Sequence, residues 1–101
     1  MADITQGSDR YLISVDGAEA GFAQYVDHDG RRVFFHTVVD DAYAGQGLAG
    51  ELVTYALDDT RKAGLKVVPV CPYVKKFVAK HTEYADVVVE PTPDDLAAIP
   101  R

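Results

Sequence analysis

The stretch that decides the fold is Tyr43-Ala44-Gly45-Gln46-Gly47-Leu48-Ala49-Gly50, a glycine-rich turn between segments of different periodicity. Upstream, Arg31 to Val39 is apolar and β-branched, the composition of a strand. Downstream, Leu48, Leu52, Tyr55 and Ala56 recur at helical spacing. Glycine allows a tight reversal and lets a ligand approach the backbone with no Cβ in the way. Free N–H groups at a helix start, at the positive end of its dipole, suit a phosphate or pyrophosphate. The strand, glycine loop and helix are therefore a candidate cofactor site. The same glycines also serve a plain strand-to-helix connection, and a short glycine motif alone does not separate the two readings.

Working outward, the helix runs from about Leu48 to Ala63. Glu51 lies near its start, Arg61 and Lys62 fall in its last turn, and Gly64 stands where a C-cap belongs. Leu65 to Val70 is nearly continuous in apolar residues, as in a strand buried on both faces. A strand, crossover helix and strand predict a parallel pair, weakened at Pro69, which has no N–H to donate. Pro72 opens a short helix to about Lys80, and Tyr84 to Val89 reads as a final strand. On the other side, Tyr11–Val15 and Glu19–Val26 flank the turn Asp16-Gly17, and Asp27-His28-Asp29-Gly30 turns the chain into Arg31. The expected fold class is mixed α+β and α/β: an antiparallel meander of three strands running into a parallel strand pair, with a crossover helix and a second short helix. The tail from Pro91 to Arg101, with its three prolines, wraps or frays.

With 101 residues, 48% of them hydrophobic, the chain fits one small domain with a modest core. A net charge of -6, from 10 basic and 16 acidic residues, argues against nucleic acid as a partner. No apolar run has the length of a membrane span, and the N-terminus lacks the pattern of a signal peptide. Cys71 is the single cysteine, which excludes an internal disulfide and fits a reducing cytoplasm. The three histidines lack metal-ligand spacing, so no metal site is expected. Lys75, Lys76 and Lys80 form a small basic cluster, either the solvated face of a helix or a contact to a phosphorylated cofactor.

Ligands of α/β sheets favour the carboxyl ends of parallel strands, which is where Gly45 to Gly50 and Cys71 should meet. Cys71 precedes Pro72 at a helix start, a setting that activates a thiol; a small buried residue is the plain alternative. His36, Tyr73, His81 and Tyr84 are the other groups able to move a proton.

Four motifs in order carry a resemblance across Tyr11 to Val89: His36-Thr37-Val38-Val39, Ala44-Gly45-Gln46-Gly47-Leu48-Ala49, Leu65-Lys66-Val67-Val68-Pro69-Val70-Cys71-Pro72 and His81-Thr82-Glu83-Tyr84. In these the chain resembles the GNAT superfamily of acetyl-CoA-dependent N-acetyltransferases, and within it a subfamily of minimal proteins with a Cys-Pro motif. The resemblance implies a single GNAT-like acetyl-CoA-binding domain over residues 1–90, with 91–101 as a tail. It implies acetyl-CoA or coenzyme A held by Val38, Val39, Gly45, Gln46, Gly47, Leu48, Ala49, Gly50 and Cys71. Catalysis would fall to Cys71, as an acetyl-accepting nucleophile, and His36. The resemblance implies an amine acceptor, of a small molecule or a protein, and a monomer or homodimer fits equally. Thr82 replaces the pattern's proline with no expected consequence. Three further positions depart from the pattern: Ala44 replaces Arg or Gln at the head of the loop, Val38 replaces a glutamate, and Phe77 falls near the place of an acid tyrosine. These departures motivate the alternative, a weak or inactive coenzyme A-binding or regulatory module.

Overall fold

Apolar–polar alternation, interrupted by two Asp-Gly reversals, lays down the first four strands. In the computed structural model, which describes residues 2–43, 45 and 47–100, these are β1 (Ala2–Gln6), β2 (Arg10–Val15), β3 (Ala18–His28) and β4 (Arg31–Val39). They form an antiparallel meander, and β5 (Lys66–Pro69) joins its end parallel to β4. The meander has four strands rather than the expected three. Ala2–Gln6 pairs with β2 from Ala2↔Val15 to Gln6↔Tyr11, and only Ala2 and Ile4 of it pack against the core. Two apolar positions make too faint an alternation to read as a strand. The turn after β3 is also narrower than Asp27 to Gly30. Asp29 and Gly30 alone, with φ of 52° and 74°, make the two-residue reversal favoured in hairpins.

Helix α1 (Leu48–Lys62) and helix α2 (Pro72–Lys80) occupy the expected positions. The buried stripe of α1 is Leu48, Leu52, Val53, Ala56, Leu57 and Thr60, while Tyr55 stays largely exposed at its margin. Leu52 and Leu57 are fully buried in one cluster with Tyr11, Ile13, Tyr25 and Phe34 of the sheet and Val74 and Phe77 of α2, each contributing about 1.5–3 kcal/mol. No helix among the described residues is long and apolar enough to cross a membrane.

The expected strand Tyr84–Val89 does not form. Thr82–Tyr84 is a 3-10 turn, and the Tyr84 carbonyl accepts from both Val87 (3.0 Å) and Val88 (3.1 Å). That coil leaves only an isolated bridge, Val67↔Val88. Tyr84 instead turns inward and donates its hydroxyl to Asp58 of α1 at 2.8 Å. The tail wraps: α3 (Pro93–Ala97) is capped by Thr92, and the fully buried Asp95 accepts from Arg31 of β4 at 2.9 Å.

Two irregularities shape the middle of the sheet. Register shifts from Ile13↔Gly21 to Ser14↔Glu19, leaving Ala20 extra in β3. It shifts again from Tyr25↔Phe34 to Gln24↔His36, leaving Phe35 extra in β4. Because strand side chains alternate, the second bulge reverses the facing of everything beyond it. Phe34 points into the helix-side core, but so do Thr37 and Val39, while His36 and Val38 turn to the opposite face.

Candidate active site

The site begins where β4 and β5 part. Their pairing runs only from Arg31↔Lys66 to Phe34↔Pro69. At that point the Phe34 carbonyl accepts from both Val70 (3.0 Å) and Cys71 (2.9 Å), and the chain turns away into α2. Residues 35–39 of β4 thus keep β3 on one side and lose β5 on the other, leaving a notch in the sheet. Asp40 N–H donates to Ala20 at 2.7 Å, so the backbones of Asp40, Val38 and His36 face β3. Strand backbone groups point alternately to either side, and the N–H groups of Thr37 and Val39 therefore face the notch.

Below the notch, Gly45 (φ 83°) and Gly47 (φ 72°) adopt left-handed conformations that cost other L-residues about 1–2 kcal/mol. Both open onto free space. Gly47 is the N-cap of α1, with no side-chain cap, so the first-turn N–H groups at Leu48, Ala49 and Gly50 lack helical acceptors. Val39, Tyr43, Gly45, Gly47 to Gly50 and Tyr73 line a cavity of about 270 Å³ over these groups. A second cavity of about 300 Å³ continues between α1 and α2, sharing Gly50 and Tyr73 with the first. Each is near the lower end of the roughly 300–1,000 Å³ usual for small-molecule sites, and the two adjoin at Gly50 and Tyr73.

Of the residues expected to hold a cofactor, Val39, Gly45, Gly47, Leu48, Ala49 and Gly50 come together around this cavity. Gln46 lies outside the described residues, as does Ala44. Val38 is on the far face and 38% exposed. Cys71 is the N-cap of α2, nearly buried at 5% exposure, and its thiol lies 3.5 Å from Thr37 Oγ1 as donor. His36 sits across the sheet from that pair, beside the Phe22 ring at 5.7 Å between centroids. The bulge at Phe35 keeps the two expected catalytic residues on opposite faces.

Among the other proton-bearing groups, burial first and the Asp58 hydrogen bond second push Tyr84 up to about 12, which holds it protonated. His81 caps the end of α2, stacks on Phe77 at 4.1 Å and faces Glu83 at 3.5 Å. Phe77 is buried, whereas Tyr73, one turn earlier, is 39% exposed and stands in both cavities. Sequence reading named Tyr73 without giving it this place. The signal was its position in the first turn after Cys71-Pro72, which aims it across the notch toward Gly50.

Residues 10–87 match the profile of the GCN5-related N-acetyl-transferase family. Protein NATD1 of Bos taurus is 30% identical over 74 residues, which cover 71% of this chain and 66% of that protein; the human protein of the same name is equally similar. The chain thus spans just under two thirds of the length of these relatives. The solution structure of a GCN5-like protein from Staphylococcus aureus superimposes with a TM-score of 0.70 at 25% identity, covering 90% of this chain and 91% of that one. The ribosomal-protein-S18-alanine N-acetyltransferase of Escherichia coli gives a TM-score of 0.56 at 26% identity, over 61% of this chain and 42% of that enzyme. With the parted parallel strands and the glycine loop at the start of α1, these likenesses show that the chain belongs to the GCN5-related N-acetyltransferase family.

Proposed function

We propose that this chain is an acetyl-CoA-dependent N-acetyltransferase acting on an amine of a small molecule or protein, with Cys71 at the transfer centre. The observation that carries the reading is the notch beyond Phe34, whose Val39 lines one cavity with the left-handed glycines Gly45 and Gly47 at the N-terminus of α1. Bound acetyl-CoA would supply an acetyl group already activated as a thioester. The N–H groups of Leu48, Ala49 and Gly50 would hold its pyrophosphate by charge and direction. Val39 N–H, facing the notch, would stabilise negative charge developing on the thioester oxygen, a contribution of about 2.7–4 kcal/mol for a well-placed donor. The Tyr73 hydroxyl, on a residue that lines both cavities, would return a proton to a departing thiolate.

Cys71 enters in one of two ways. As a nucleophile its thiol must first lose the proton now directed at Thr37; as a packing residue it holds α2 against β4, and the amine attacks the thioester directly. A second reading, a coenzyme A-binding module without transfer, is favoured by the absence of any carboxylate from the described lining of the cavity. Incubation with acetyl-CoA and a panel of amines, followed by mass spectrometry, separates them. Acetylated amine with the natural chain and none with Cys71→Ser supports the nucleophile. Equal transfer by both supports direct attack. Bound coenzyme A with no acetylated product from any amine supports the binding module, and no binding at all refutes the proposal.

A further inference from the structure

A chain of net charge -6 that binds a polyanionic cofactor needs local cations, and most of its cations are already committed. Every arginine among the described residues pairs with an aspartate: Arg10 with Asp9, Arg31 with Asp95, Arg32 with Asp27, and Arg61 with Asp86. Lys66 donates to the Asp86 carbonyl at 3.3 Å. Lys62 lies in cavities beside Asp58 and Asp59, and Lys75 lines a separate hollow with Pro69 and Val78. Lys76 and Lys80 are different. Both are exposed and form no ion pair among the described residues, and both line the groove that continues the loop cavity past Gly50 and Tyr73. They stand one helical turn apart, so their ammonium groups share a face of α2. Lys80 lies about 10 Å along the helix from Tyr73. His81, turned toward Glu83, closes the far end.

From this arrangement we propose that Lys76 and Lys80 form the subsite for the ribose 3′-phosphate of coenzyme A, resting on the acetyl-CoA reading above. The N–H groups of α1 account for the pyrophosphate. An elongated ligand leaving the loop cavity past Gly50 enters the groove of the two lysines, where a phosphate monoester meets two unpaired ammonium groups. This places on α2 the cationic contact that Ala44 cannot supply at the head of the loop.

The test measures calorimetric affinity for coenzyme A and 3′-dephospho-coenzyme A with the natural chain, Lys76→Gln/Lys80→Gln, and Lys75→Gln. The natural chain should prefer coenzyme A by about tenfold or more, the weight of one charge-assisted contact. The double variant should lose that preference to within about twofold while keeping its affinity for the dephospho form, and Lys75→Gln should behave as the natural chain does. Equal affinity of the natural chain for both ligands, or full discrimination by the double variant, overturns the lysine subsite and leaves the acetyl-CoA reading standing. Failure of the natural chain to bind either ligand overturns that reading itself, and the subsite with it.

Discussion

Gly21 controls how closely β3 and β4 approach beside the notch, and Gly21→Ala tests that control. An added Cβ would collide with the Val38 carbonyl oxygen and lie 3.0 Å from Val39 Cα and 3.1 Å from Val39 Cγ2. Two of these three contacts are backbone, which cannot rotate away. Overpacking of this kind costs roughly 1–3 kcal/mol, offset by about 0.4–1 kcal/mol from the stiffer unfolded chain. A net loss of about 1–2 kcal/mol lowers Tm by roughly 5–15 °C in a domain of this size. The displaced residue is Val39, whose N–H faces the notch, so coenzyme A affinity should fall about three- to tenfold, the weight of one weakened hydrogen bond. Differential scanning calorimetry and isothermal titration read the two effects separately. An unchanged Tm would refute the steric argument. A lowered Tm with unchanged affinity would show that the strand spacing at Gly21 does not set the wall of the notch.

Gly50→Ala should act in the opposite sense on stability. Its Cβ meets only the Tyr73 hydroxyl, at 3.9 Å, and alanine in a helix gains up to about 1 kcal/mol over glycine, yet the methyl enters both cavities; a higher Tm with weaker coenzyme A binding is expected, and a lower Tm refutes it. Gly47→Val should leave the core intact and weaken coenzyme A binding at least tenfold, because the strained φ of 72°, not crowding, is what a β-branched residue cannot hold; equal affinity in a folded variant would remove the loop from the site. For Asp95, burial works to raise the pKa, but the Thr92 amide and hydroxyl and the Arg31 guanidinium outweigh it, and the net shift is downward. Its contribution is therefore present above the unfolded carboxylate value of about 3.9 and is lost as pH falls through the lower folded value. Backbone NMR signals of residues 93–97 should report this acid release in the natural chain, and an Asp95→Asn variant with the same acid profile would refute it.

Much of this fold was legible because its signals are local. The α1 stripe, the Pro72 helix start and the Asp-Gly reversals each depend on a few adjacent residues; the helix start and the reversals stand in the structure, and so does the stripe except for Tyr55, which is exposed. The glycine loop was legible for a similar reason, since the positive φ at Gly45 and Gly47 leaves few other residues able to stand there. The bulge at Phe35 was not. It sits in the run Val33-Phe34-Phe35, where three apolar neighbours conceal which side chain has slipped, and without it the facing of His36 cannot be read. Nor could spacing reveal that Arg31 and Asp95, 64 residues apart, tie the tail to the sheet. Tyr84 was misplaced because its aromatic character fits a strand as readily as the inward turn it takes toward Asp58.

The notch beyond Phe34 also bears on self-association. An unpaired strand edge invites a neighbouring chain to add its own strand, and sheets usually guard only their outer margins against this. Here a second, internal edge opens within the sheet along residues 37–39, bounded on its far side by β5 and the start of α2. A foreign sheet finds little to pair with there, because β4 ends at Val39 and the start of α2 lies beside Thr37. A slender molecule with amide groups of its own needs no longer edge. An opening this short would suit a single extended arm better than a strand, and so keeps the same hydrogen-bonding groups from serving as a seed for aggregation.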